Sequence, residues 1–531
     1  MADNIQQLLR ELATGEHADR AGLLHEELVL TWREHLTEAA TEAAAVIGLA
    51  DPDLPLHVGV LLGNTPEMLR SMAAAALGGY VLCGINTTRR GPALLADVRR
   101  SDCQVLVVNA EHRDLLDGLD LTGVLVVDTG SDEWAGLLAA AATTPDDLVP
   151  HREVEAMDTF MMIFTSGTSG EPKAVQVAHL MVLFSGLNLV ERFAVTADDV
   201  CYLSMPLFHS NAVVAGWAVA IGAGAAMVPA RFSASGFLAD VRRYGATYMN
   251  YVGKPLAYVL ATPEQPDDAD NTLRQAFGNE ASDRDIADFS RRFGTKVMDG
   301  FGSTELAVIV TRSEGTPPGS IGVGFDGVAI YDSETVTECP AAVFDESGAL
   351  VNADEAIGEL VNTQGAGYFQ GYYNDKSAND ERMRHGMYWS GDLAYKDADG
   401  WIYLAGRTAD WMRVDGENFA AAPIERVLMR LPDLSQVAVY AVPDGNVGDQ
   451  IMAAIVLVDD GTLTPVDLEK FLGDQADLSP KAWPRYVRIA RSLPSTATNK
   501  VIKRELAAQG PTAGDGVLWT REERGRSYTA G

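Results

Sequence analysis

The chain has 531 residues, more than a single hydrophobic core usually organises, so we expect two or more domains. Its 41 Lys and Arg residues against 74 Asp and Glu residues give a formal net charge of −33, which should repel nucleic acid and anionic membranes. The apolar fraction of 47% is ordinary for a globular protein and argues against a disordered chain. We therefore expect no nucleic-acid partner, and any phosphate-binding site must be a local positive region.

Cysteine content and apolar segments bear on where the protein works. Four cysteines without a CxxC spacing are too few for a disulfide scaffold, and they indicate a reducing cytoplasm. The N-terminal residues contain no apolar run of signal-peptide length. Residues 211–230 carry no charge and are long enough to cross a membrane, but they are mostly Ala, Gly and Val. We interpret this segment as a buried helix and turn, and expect no stable membrane insertion.

Alternating signals for strands and helices appear early in the chain. Residues 56–63 form a short apolar run typical of a buried strand, residues 66–77 an Ala- and Met-rich helical pattern, and residues 105–109 another strand. This alternation predicts an α/β architecture with largely parallel sheets.

The segment after the apolar residues 160–164 is the most informative in the chain. Glycines allow backbone N–H groups to approach an anion, hydroxyls add donors and a lysine adds positive charge, so its composition suits a loop that closes over phosphate. It is not a Walker A motif, because Pro172 precedes the lysine and Ala174 follows it. The alternative is a flexible turn between a strand and a helix. The segment reads Thr165, Ser166, Gly167, Thr168, Ser169, Gly170, Glu171, Pro172 and Lys173.

The last part of the chain predicts a second, smaller domain of roughly 110 residues. We place the domain boundary between residues 408 and 409, and expect the Gly-rich tail from residue 510 to be partly ordered at best. The predicted elements are a turn at residues 399–400, strands at residues 402–405, 437–442 and 451–458, a polar connector at residues 406–410 and a helix at residues 465–472.

Several short motifs resemble those of one enzyme superfamily. They are the loop from Thr165 to Lys173, Gly302-Ser303-Thr304-Glu305 after Phe301, Ser390-Gly391-Asp392, Gly406-Arg407 and Lys500. Their order resembles that in the adenylate-forming superfamily, which contains acyl-CoA synthetases, firefly luciferases and the adenylation domains of peptide synthetases. The resemblance covers nearly the whole chain. It implies a large N-terminal domain of mixed, mostly parallel sheets flanked by helices, residues 1–408, and a small mobile α+β C-terminal domain, residues 409–531.

The chemistry of that superfamily explains what these residue types do. A carboxylate is a poor electrophile, so thioester formation needs a better leaving group than oxide, and transfer of AMP onto the acid supplies one. Such a transfer needs charge neutralisation and in-line positioning. The resemblance implies that ATP binds with Mg²⁺ held by Glu305 and Thr165, that Thr304 contacts the α-phosphate, and that Lys173 and the loop before it hold the other phosphates.

The resemblance also assigns the groups that hold the nucleoside. Asp392 offers two acceptor oxygens to the ribose hydroxyls. Arg407 presents a planar fork of donors to the ribose or a phosphate. An ordinary turn aspartate and a surface arginine are the alternatives. The resemblance places Gly278, Asn279 and Glu280 where the family lines its adenine pocket, although a Gly-Asn pair is also an ordinary turn. Gly302 and Ser303 complete the nucleotide set that the resemblance implies.

The C-terminal motifs concern catalysis and movement. Lys500 resembles the family's catalytic lysine, a cation that stabilises charge between the α-phosphate and the attacking carboxylate. Asn499 replaces the usual glycine before it, and Asn tolerates left-handed backbone angles. Ala409 stands at the hinge about which the family rotates its small domain between half-reactions, where many members carry Asp or Lys. The resemblance also places Gly416 in the loop that enters the site for thioester formation.

Residues 206–210, 231–236, 251–254 and 416–419 look most like the branch of fatty-acid transport proteins and very-long-chain acyl-CoA synthetases. The match is uneven, because Lys254 and Glu171 replace the residues usual in that branch. His209 resembles the family histidine at the wall of the acyl pocket, and the alternative is a hydrogen-bonded core histidine. The apolar residues around Trp217 line an acyl tunnel or belong to the core.

Three functions remain open at this point. The first is an ATP- and Mg²⁺-dependent ligase that joins a long or very long fatty acid, or alternatively a sterol side-chain acid, to CoA. The second hands the acyl group to the thiol of a separate carrier protein. The third is a non-catalytic lipid- or nucleotide-binding protein, against which the retained charged residues argue. The sequence leaves the length of the acyl chain and the oligomeric state open, and a homodimer is among the allowed states.

Overall fold

The computed structural model describes residues 2–165, 172–313, 315–346, 350–407, 411–414, 417–443, 449–458, 461–496, 500–522 and 525–530. The chain forms two compact units. Unit 1 comprises Met1–Ala307 with Ala366–Glu381, and unit 2 comprises Val308–Gly365 with Arg382–Gly531. The predicted domain boundary between residues 408 and 409 lies outside the described residues and stays a prediction.

Helices and strands alternate through the described chain. The helices are α1 (Ile5–Thr14), α2 (Trp32–Leu49), α3 (Pro66–Gly78), α4 (Gly91–Arg100), α5 (Asp132–Ala140), α6 (His179–Phe193), α7 (Ser210–Ala212), α8 (Ala218–Ala223), α9 (Phe237–Tyr244), α10 (Pro255–Leu260), α11 (Asp283–Phe293), α12 (Ala353–Ala356), α13 (Lys376–Arg382), α14 (Ala421–Leu428), α15 (Pro465–Gly473) and α16 (Lys503–Gln509). A π-helical turn, Val213–Trp217, lies between α7 and α8.

The strands are β1 (Ala21–His25), β2 (Leu28–Thr31), β3 (His57–Leu61), β4 (Val81–Gly84), β5 (Val105–Val108), β6 (Leu125–Asp128), β7 (Thr159–Thr165), β8 (Lys173–Ala178), β9 (Val200–Leu203), β10 (Ala226–Pro229), β11 (Tyr248–Val252), β12 (Gln275–Asn279), β13 (Lys296–Gly300), β14 (Val310–Thr311), β15 (Val323–Gly324), β16 (Val328–Asp332), β17 (Thr337–Glu338), β18 (Gly358–Asn362), β19 (Met383–Arg384), β20 (Met387–Lys396), β21 (Ile402–Arg407), β22 (Trp411–Val414), β23 (Glu417–Ala420), β24 (Leu434–Pro443), β25 (Asp449–Leu457), β26 (Tyr486–Ile489), β27 (Val517–Arg521) and β28 (Tyr528–Ala530).

Unit 1 is built on two mostly parallel sheets. The first has the strand order β6-β5-β3-β4-β7-β8, parallel except for β8, and the second has the order β13-β12-β11-β9-β10-β1-β2, parallel except for β2. The central strands β3, β4 and β5 of the first sheet are buried on both faces, as expected when helices cover both sides of a sheet. In β3 and β5 every residue is buried. The predicted α/β class with parallel sheets is therefore confirmed.

Unit 2 contains mostly antiparallel sheets. One has the order β17-β16-β18-β20-β19, with β21 paired to β20. Another has the order β24-β25-β26-β27-β28, in which only the β25–β26 pair is parallel. Helices α14 and α15 contribute Ile424, Val427, Leu468 and Leu472 to an apolar cluster that covers this second sheet. Sheet and helices together give the α+β character that the sequence predicts for the C-terminal part.

The elements predicted at residues 56–63, 66–77, 105–109 and 465–472 are present as β3, α3, β5 and α15. The helix α3 shows why local sequence sufficed: Thr65 caps it by accepting from the N–H of Met68, and Gly79 ends it with φ +68°. Such signals lie within a few residues of the element they define.

Three local expectations are wrong. The segment 211–230 is not only helix and turn, because it ends in β10, which pairs with β9 and β1. Gly406 and Arg407 belong to β21 rather than to a connector. The tail after residue 510 adds β27 and β28 to the sheet, where Trp519 and Tyr528 are each 5% exposed. Burial of these two aromatic side chains orders a segment whose composition alone favoured a loose tail.

Among the described residues, no helix is both long and apolar enough to cross a membrane. The four cysteines are free thiols, and Cys83, Cys103 and Cys201 are buried.

Candidate active site

The residues assigned to the nucleotide by the sequence divide between the two units. Unit 2 contains Asp392, Arg407 and Lys500. Residues 166–170, Ala409, Gly416 and Asn499 lie outside the described residues. Unit 1 contains Thr165, Lys173, His209, Gly278, Asn279, Glu280, Gly302, Ser303, Thr304 and Glu305.

Parallel strands bring several of the unit 1 segments to one edge of a sheet. Strand β9 ends at Leu203 shortly before His209, and β11, β12 and β13 end at Val252, Asn279 and Gly300. These last three residues are neighbours in register. Ligands of open α/β sheets bind outside the carboxyl ends of the strands, so this edge is the expected place for the nucleotide.

Gly278 is required by the packing of β12 against β11. A Cβ atom at this position would lie 2.2 Å from the carbonyl oxygen of Tyr251, so no larger residue fits without moving the strand. Glu280 follows with an exposed side chain and a φ of +68°, which turns the chain away from the sheet. The predicted adenine segment is therefore the end of a strand and the start of a tight turn.

A chain of buried amides holds Asn279 in place. Its Nδ2 donates to the carbonyl oxygen of Gly300 at 2.7 Å, and its Oδ1 accepts from Nδ2 of Asn211 at 2.9 Å. Asn211 Oδ1 in turn accepts from Nδ2 of Asn250 at 2.7 Å. The chain joins α7, β11 and β12, and Asn250 is fully buried. The sequence analysis missed Asn211 and Asn250, because two isolated amides carry no spacing signal.

Asp299 fixes the loop after β12. Its Oδ2 accepts from the N–H of Ala281 and its Oδ1 from the N–H of Gly300, both at 2.8 Å, and the residue is 5% exposed. A buried carboxylate that accepts backbone N–H groups orders the loop that carries them. This residue was also missed.

Thr304 contacts the segment that begins with His209. The hydroxyls of Thr304 and Ser210 lie 2.9 Å apart, so one donates to the other. The ring of His209 packs against that of Phe208, with centroids 4.7 Å apart. Gly302 and Ser303 lie between β13 and Thr304, in the irregular segment that turns out of the sheet. The motif and the predicted wall of the acyl pocket are thus adjacent.

Lys173 starts β8 and lies opposite Thr165 in the β7–β8 pair. The residue is only 4% exposed. Its Nζ lies 3.3 Å from Oε2 of Glu381 and 5.0 Å from the centroid of the Tyr372 ring. A carboxylate and the face of an aromatic ring both stabilise a buried ammonium group. The loop lysine is therefore held by two residues some 200 positions away, which local sequence could not indicate.

Tyr372 also contacts Glu305. Its hydroxyl donates to Oε1 of Glu305 at 2.8 Å, and the tyrosine is 2% exposed. We refer to these three residues as the Lys173–Tyr372–Glu305 cluster. In this cluster, Lys173 contacts the ring of Tyr372, and the predicted metal-binding carboxylate of Glu305 contacts its hydroxyl.

Asp392 and Arg407 face each other across β20 and β21. Their Cα atoms are partners in the strand register, and Nε of Arg407 lies 3.2 Å from Oδ1 of Asp392. Asp392 is largely buried while half of the Arg407 side chain is exposed, so the arginine can turn toward a ligand without leaving the strand. The two predicted ribose-binding residues form one ion pair.

The backbone before Asp392 is unusual. Gly391 has φ +76°, and a Cβ atom there would lie 2.4 Å from Nη1 of Arg382. Its N–H donates to Oε1 of Glu359 at 2.7 Å. Burial raises the pKa of Glu359 above its ordinary value, while this N–H and the guanidinium of Arg384 act in the opposite direction. The left-handed backbone angle favours glycine at this turn into Asp392, and a larger residue would also displace the end of the Arg382 side chain.

Lys500 is the first described residue after residue 496, and its side chain is exposed. Its N–H donates to Oγ1 of Thr496 at 3.1 Å, and its carbonyl accepts from the N–H of Thr496 at 2.8 Å. Ser495 and Val501 form an antiparallel bridge just outside this pair. The backbone of Lys500 is therefore tied to Thr496 by two hydrogen bonds. Nearby, Nζ of Lys503 lies 2.9 Å from Oε1 of Glu425, an ion pair that anchors α16.

Two further features of unit 1 lie away from these residues. Trp217 is fully buried and stacks on Phe160, with centroids 5.4 Å apart, so its ring is core packing. A cavity of about 260 Å³ is lined by His57, Val81 and Thr159 among others. These three residues begin β3, β4 and β7, at the edge of the sheet opposite the carboxyl ends, so the cavity is not part of the predicted site.

Two family models match successive parts of the chain. The family model described as AMP-binding enzyme matches residues 11–373, and the model of the AMP-binding enzyme C-terminal domain matches residues 423–500. The chain belongs to the AMP-binding enzyme family. The expected membership of the adenylate-forming superfamily is thereby confirmed.

Relatives within this family span nearly the whole chain. A medium/long-chain-fatty-acid–CoA ligase, FadD17 of Mycobacterium marinum, is 49% identical over 98% of this chain and 99% of its own. A steroid-22-oyl-CoA synthetase of Rhodococcus jostii is 45% identical over 92% of this chain and 89% of its own. Long-chain fatty acid transport protein 6 of Homo sapiens is 29% identical over 85% and 77%, in line with the expected branch.

Solved structures agree on the fold. The anthranilate CoA ligase AuaEII, in complex with anthranoyl-AMP, superimposes with a TM-score of 0.82 at 21% identity, over 96% of this chain and 98% of that one. At this level of identity the likeness concerns the fold of this AMP-binding enzyme.

Proposed function

We propose that the protein is an ATP- and Mg²⁺-dependent acid:CoA ligase acting on a medium- to long-chain fatty acid. The observation that carries the proposal is the Lys173–Tyr372–Glu305 cluster, which holds a cation and a carboxylate next to the Thr304 motif. Nucleotidyl transfer needs a cation for the phosphates and a hard oxygen ligand for their metal ion. The near 50% identity to a fatty-acid–CoA ligase along 98% of the chain supports the same choice.

In the first half-reaction, an oxygen of the fatty carboxylate attacks the α-phosphorus of ATP. The new bond joins that oxygen to phosphorus, the bond to the bridging oxygen of the β-phosphate breaks, and pyrophosphate leaves. Lys173 and the loop after Thr165 bind the leaving phosphates, and Thr304 orients the α-phosphate. Fixed positive charge and donors of this kind stabilise the transition state without reorganisation.

Glu305 and Thr165 are the residues proposed to hold Mg²⁺. Within the described residues, Oε1 of Glu305 accepts from Tyr372, and no hydrogen bond to Oε2 is present, so one oxygen remains for a metal ion. The described residues contain no group of three or more His, Cys, Asp or Glu side chains arranged so that it could hold a metal ion by itself. A single carboxylate fits Mg²⁺, because this ion keeps several waters and takes its other ligands from the phosphates. When bound, it neutralises phosphate charge.

The residues of unit 2 serve the nucleoside and the transition state. Asp392 accepts from the ribose hydroxyls, and Arg407 exchanges part of its pairing with Asp392 for the ribose or a phosphate. Lys500 adds a cation at the α-phosphate and the attacking carboxylate during adenylation.

In unit 1, Gly278, Asn279 and Glu280 receive the adenine, with Asn279 held by its buried amide partners.

In the second half-reaction, the thiol sulfur of CoA attacks the carbonyl carbon of the acyl-adenylate. The bond from that carbon to the phosphate oxygen breaks, AMP leaves with the oxygen, and the thiol proton passes to solvent. His209 shapes the acyl side of the site together with Phe208, and Gly416 belongs to the loop that guides CoA. Rotation of the small domain about Ala409 separates the two half-reactions.

The substrate class has one named alternative. The relative that is 45% identical over 92% of this chain carries the name steroid-22-oyl-CoA synthetase, which favours a sterol side-chain acid as second candidate. Transfer to a carrier protein ranks below both. The cytoplasmic location remains a prediction from cysteine content, and a homodimer remains one of the allowed states.

The test is pyrophosphate release, with and without CoA, over medium, long and very long fatty acids and sterol side-chain acids. Acyl-CoA formation with medium- and long-chain fatty acids is the expected result. A preference for sterol side-chain acids replaces the substrate class and keeps the reaction. Pyrophosphate release without any acyl-CoA indicates carrier transfer. No pyrophosphate with any acid contradicts the proposal.

A further inference from the structure

We propose that Tyr372 is a positioning residue that keeps Lys173 and Glu305 from pairing with each other, so that the lysine can bind the phosphates and the carboxylate can bind the metal ion. The inference rests on the proposed function and deepens it, because it assigns a task to a residue outside every motif used so far. Glu381 completes the arrangement as a temporary partner of the lysine.

Tyr372 is built to be rigid. Its N–H donates to Oδ1 of Asn379 at 2.6 Å, and its carbonyl accepts from Nδ2 of the same side chain at 3.0 Å. It forms an antiparallel bridge with Val175 of β8, next to Lys173. The N–H of Tyr373 donates to the carbonyl of Ala174 at 2.8 Å. The tyrosine is thus attached to the same strand as the loop lysine.

One side chain reaches both charges. The ring centroid is 5.0 Å from Nζ of Lys173, within the range of a cation–π contact, and the hydroxyl is 2.8 Å from Oε1 of Glu305. A neutral ring and a neutral hydroxyl contact these groups without cancelling their charge. If the two oppositely charged side chains paired directly instead, each would be less available to a ligand.

Glu381 differs from Tyr372 in exposure. Its side chain is 58% exposed, whereas that of Lys173 is 5% exposed, and their charged atoms are 3.3 Å apart. An ion pair with an exposed, solvated partner is weak and easily exchanged. Glu381 therefore compensates the lysine in the free protein and gives way to a phosphate group.

The chain offers a matched control for each residue. Tyr373, next to Tyr372, donates through its hydroxyl to Oδ2 of Asp102 at 2.9 Å in an exposed pair away from the cluster. Asp380, next to Glu381, pairs with Lys376 at 2.5 Å on the surface. Each control removes the same chemical group one position away.

The experiment is calorimetric titration of the full chain with ATP, once in EDTA and once in excess Mg²⁺. Tyr372→Phe should raise the Kd for ATP in Mg²⁺ about tenfold, the effect of losing one hydrogen bond to a charged group, and change the Kd in EDTA less than twofold. Tyr373→Phe should leave both within twofold. An equal change with and without Mg²⁺, or none, in Tyr372→Phe overturns the inference.

A second pair of variants tests the lysine side independently of Tyr372 and of its effect on folding. Glu381→Gln should lower the Kd for ATP in EDTA severalfold, because Lys173 loses a competing carboxylate, while Asp380→Asn should not. Weaker ATP binding in Glu381→Gln overturns the role of Glu381. A wild-type chain that binds no ATP with Mg²⁺ contradicts the proposed function itself, whereas wild-type binding with unaltered variants contradicts the inference alone.

Discussion

Asn211 donates a hydrogen bond through Nδ2 to Oδ1 of Asn279 at 2.9 Å, and this bond ties the helix after His209 to the strand that ends at the proposed adenine pocket. Asn250 supports the same bond from behind by donating to Oδ1 of Asn211. The proposed wall of the acyl pocket and the proposed adenine segment are therefore joined by hydrogen bonds.

Asn211→Ala should weaken both sides of the site. The change leaves Oδ1 of Asn279 and Nδ2 of Asn250 without their partner in a buried region, at a cost of about 2 kcal/mol in the free energy of unfolding. We expect KM to rise for ATP and for the acid together, measured by initial rates. Asn188→Ala is the control, because its Nδ2 only donates to the carbonyl of Phe184 on an exposed helix face. A rise in one KM alone contradicts the coupling.

Lys500→Ala should separate the half-reactions. Removing a cation that acts on the adenylation transition state should slow pyrophosphate formation by about 10² or more, while thioester formation from supplied acyl-adenylate stays within a few-fold of wild type. Rapid-quench assays of each half-reaction measure the two rates. Lys503→Ala, which breaks the ion pair with Glu425, should reduce stability without changing the ratio of the rates. Equal losses in both halves would remove Lys500 from this role.

Gly391→Ala should disturb Asp392 beyond the cost of its backbone angle. Gly386 and Gly391 have the same φ of +76°, but only at Gly391 would a Cβ atom clash, with Nη1 of Arg382 at 2.4 Å. Gly386→Ala should cost about 1 kcal/mol of strain, and Gly391→Ala more. If Asp392 binds the ribose, Gly391→Ala alone should also reduce the preference for ATP over 2′-deoxy-ATP, measured as a ratio of Kd values. An unchanged ratio argues against Asp392 as the ribose ligand.

His179 should make the protein less stable in acid. Burial lowers the pKa of His179 to about 3, whereas the unfolded imidazole has a pKa near 6.5, so the unfolded state takes up a proton that the folded state refuses. Its contribution is fully present above about pH 6.5 and is lost as the pH falls toward 3. At pH 5 the loss is about 2 kcal/mol.

Urea unfolding at pH 7.5 and pH 5 measures this effect. Every group that titrates between these pH values changes the stability of the wild-type protein. The informative quantity is therefore the change in the free energy of unfolding from pH 7.5 to pH 5, compared between wild type and His179→Leu. The variant should lose less stability between the two pH values. An equal loss in both proteins would show that His179 is not kept neutral by burial.

Sequence reasoning succeeded where a signal is local. The strand β3, the capped helix α3 and the order of the nucleotide motifs are all readable within short windows. The partners of the motif residues are not, because Glu381 lies 208 residues from Lys173 and Tyr372 lies 67 residues from Glu305. Such contacts are created by the fold, and a tyrosine or glutamate in isolation has no pattern that announces them.

The wrong expectations have the same physical origin. The tail after residue 510 is rich in Gly and polar residues, yet Trp519 is buried by pairing of β27 with β26. Likewise Gly406 and Arg407 resemble a connector by composition, but they pair with Leu393 and Asp392 of β20. Tertiary pairing overrode local propensity in both places.

The central claim is that acyl-adenylate lies on the path to acyl-CoA, and oxygen transfer tests it most directly. A fatty acid labelled with ¹⁸O in both carboxylate oxygens is turned over with ATP and CoA, and the AMP is examined by mass spectrometry. One ¹⁸O atom in each AMP is predicted, because the oxygen that attacks the α-phosphorus leaves with AMP when the thioester forms. Acyl-CoA accompanied by unlabelled AMP, or by ADP and labelled phosphate, would contradict the account.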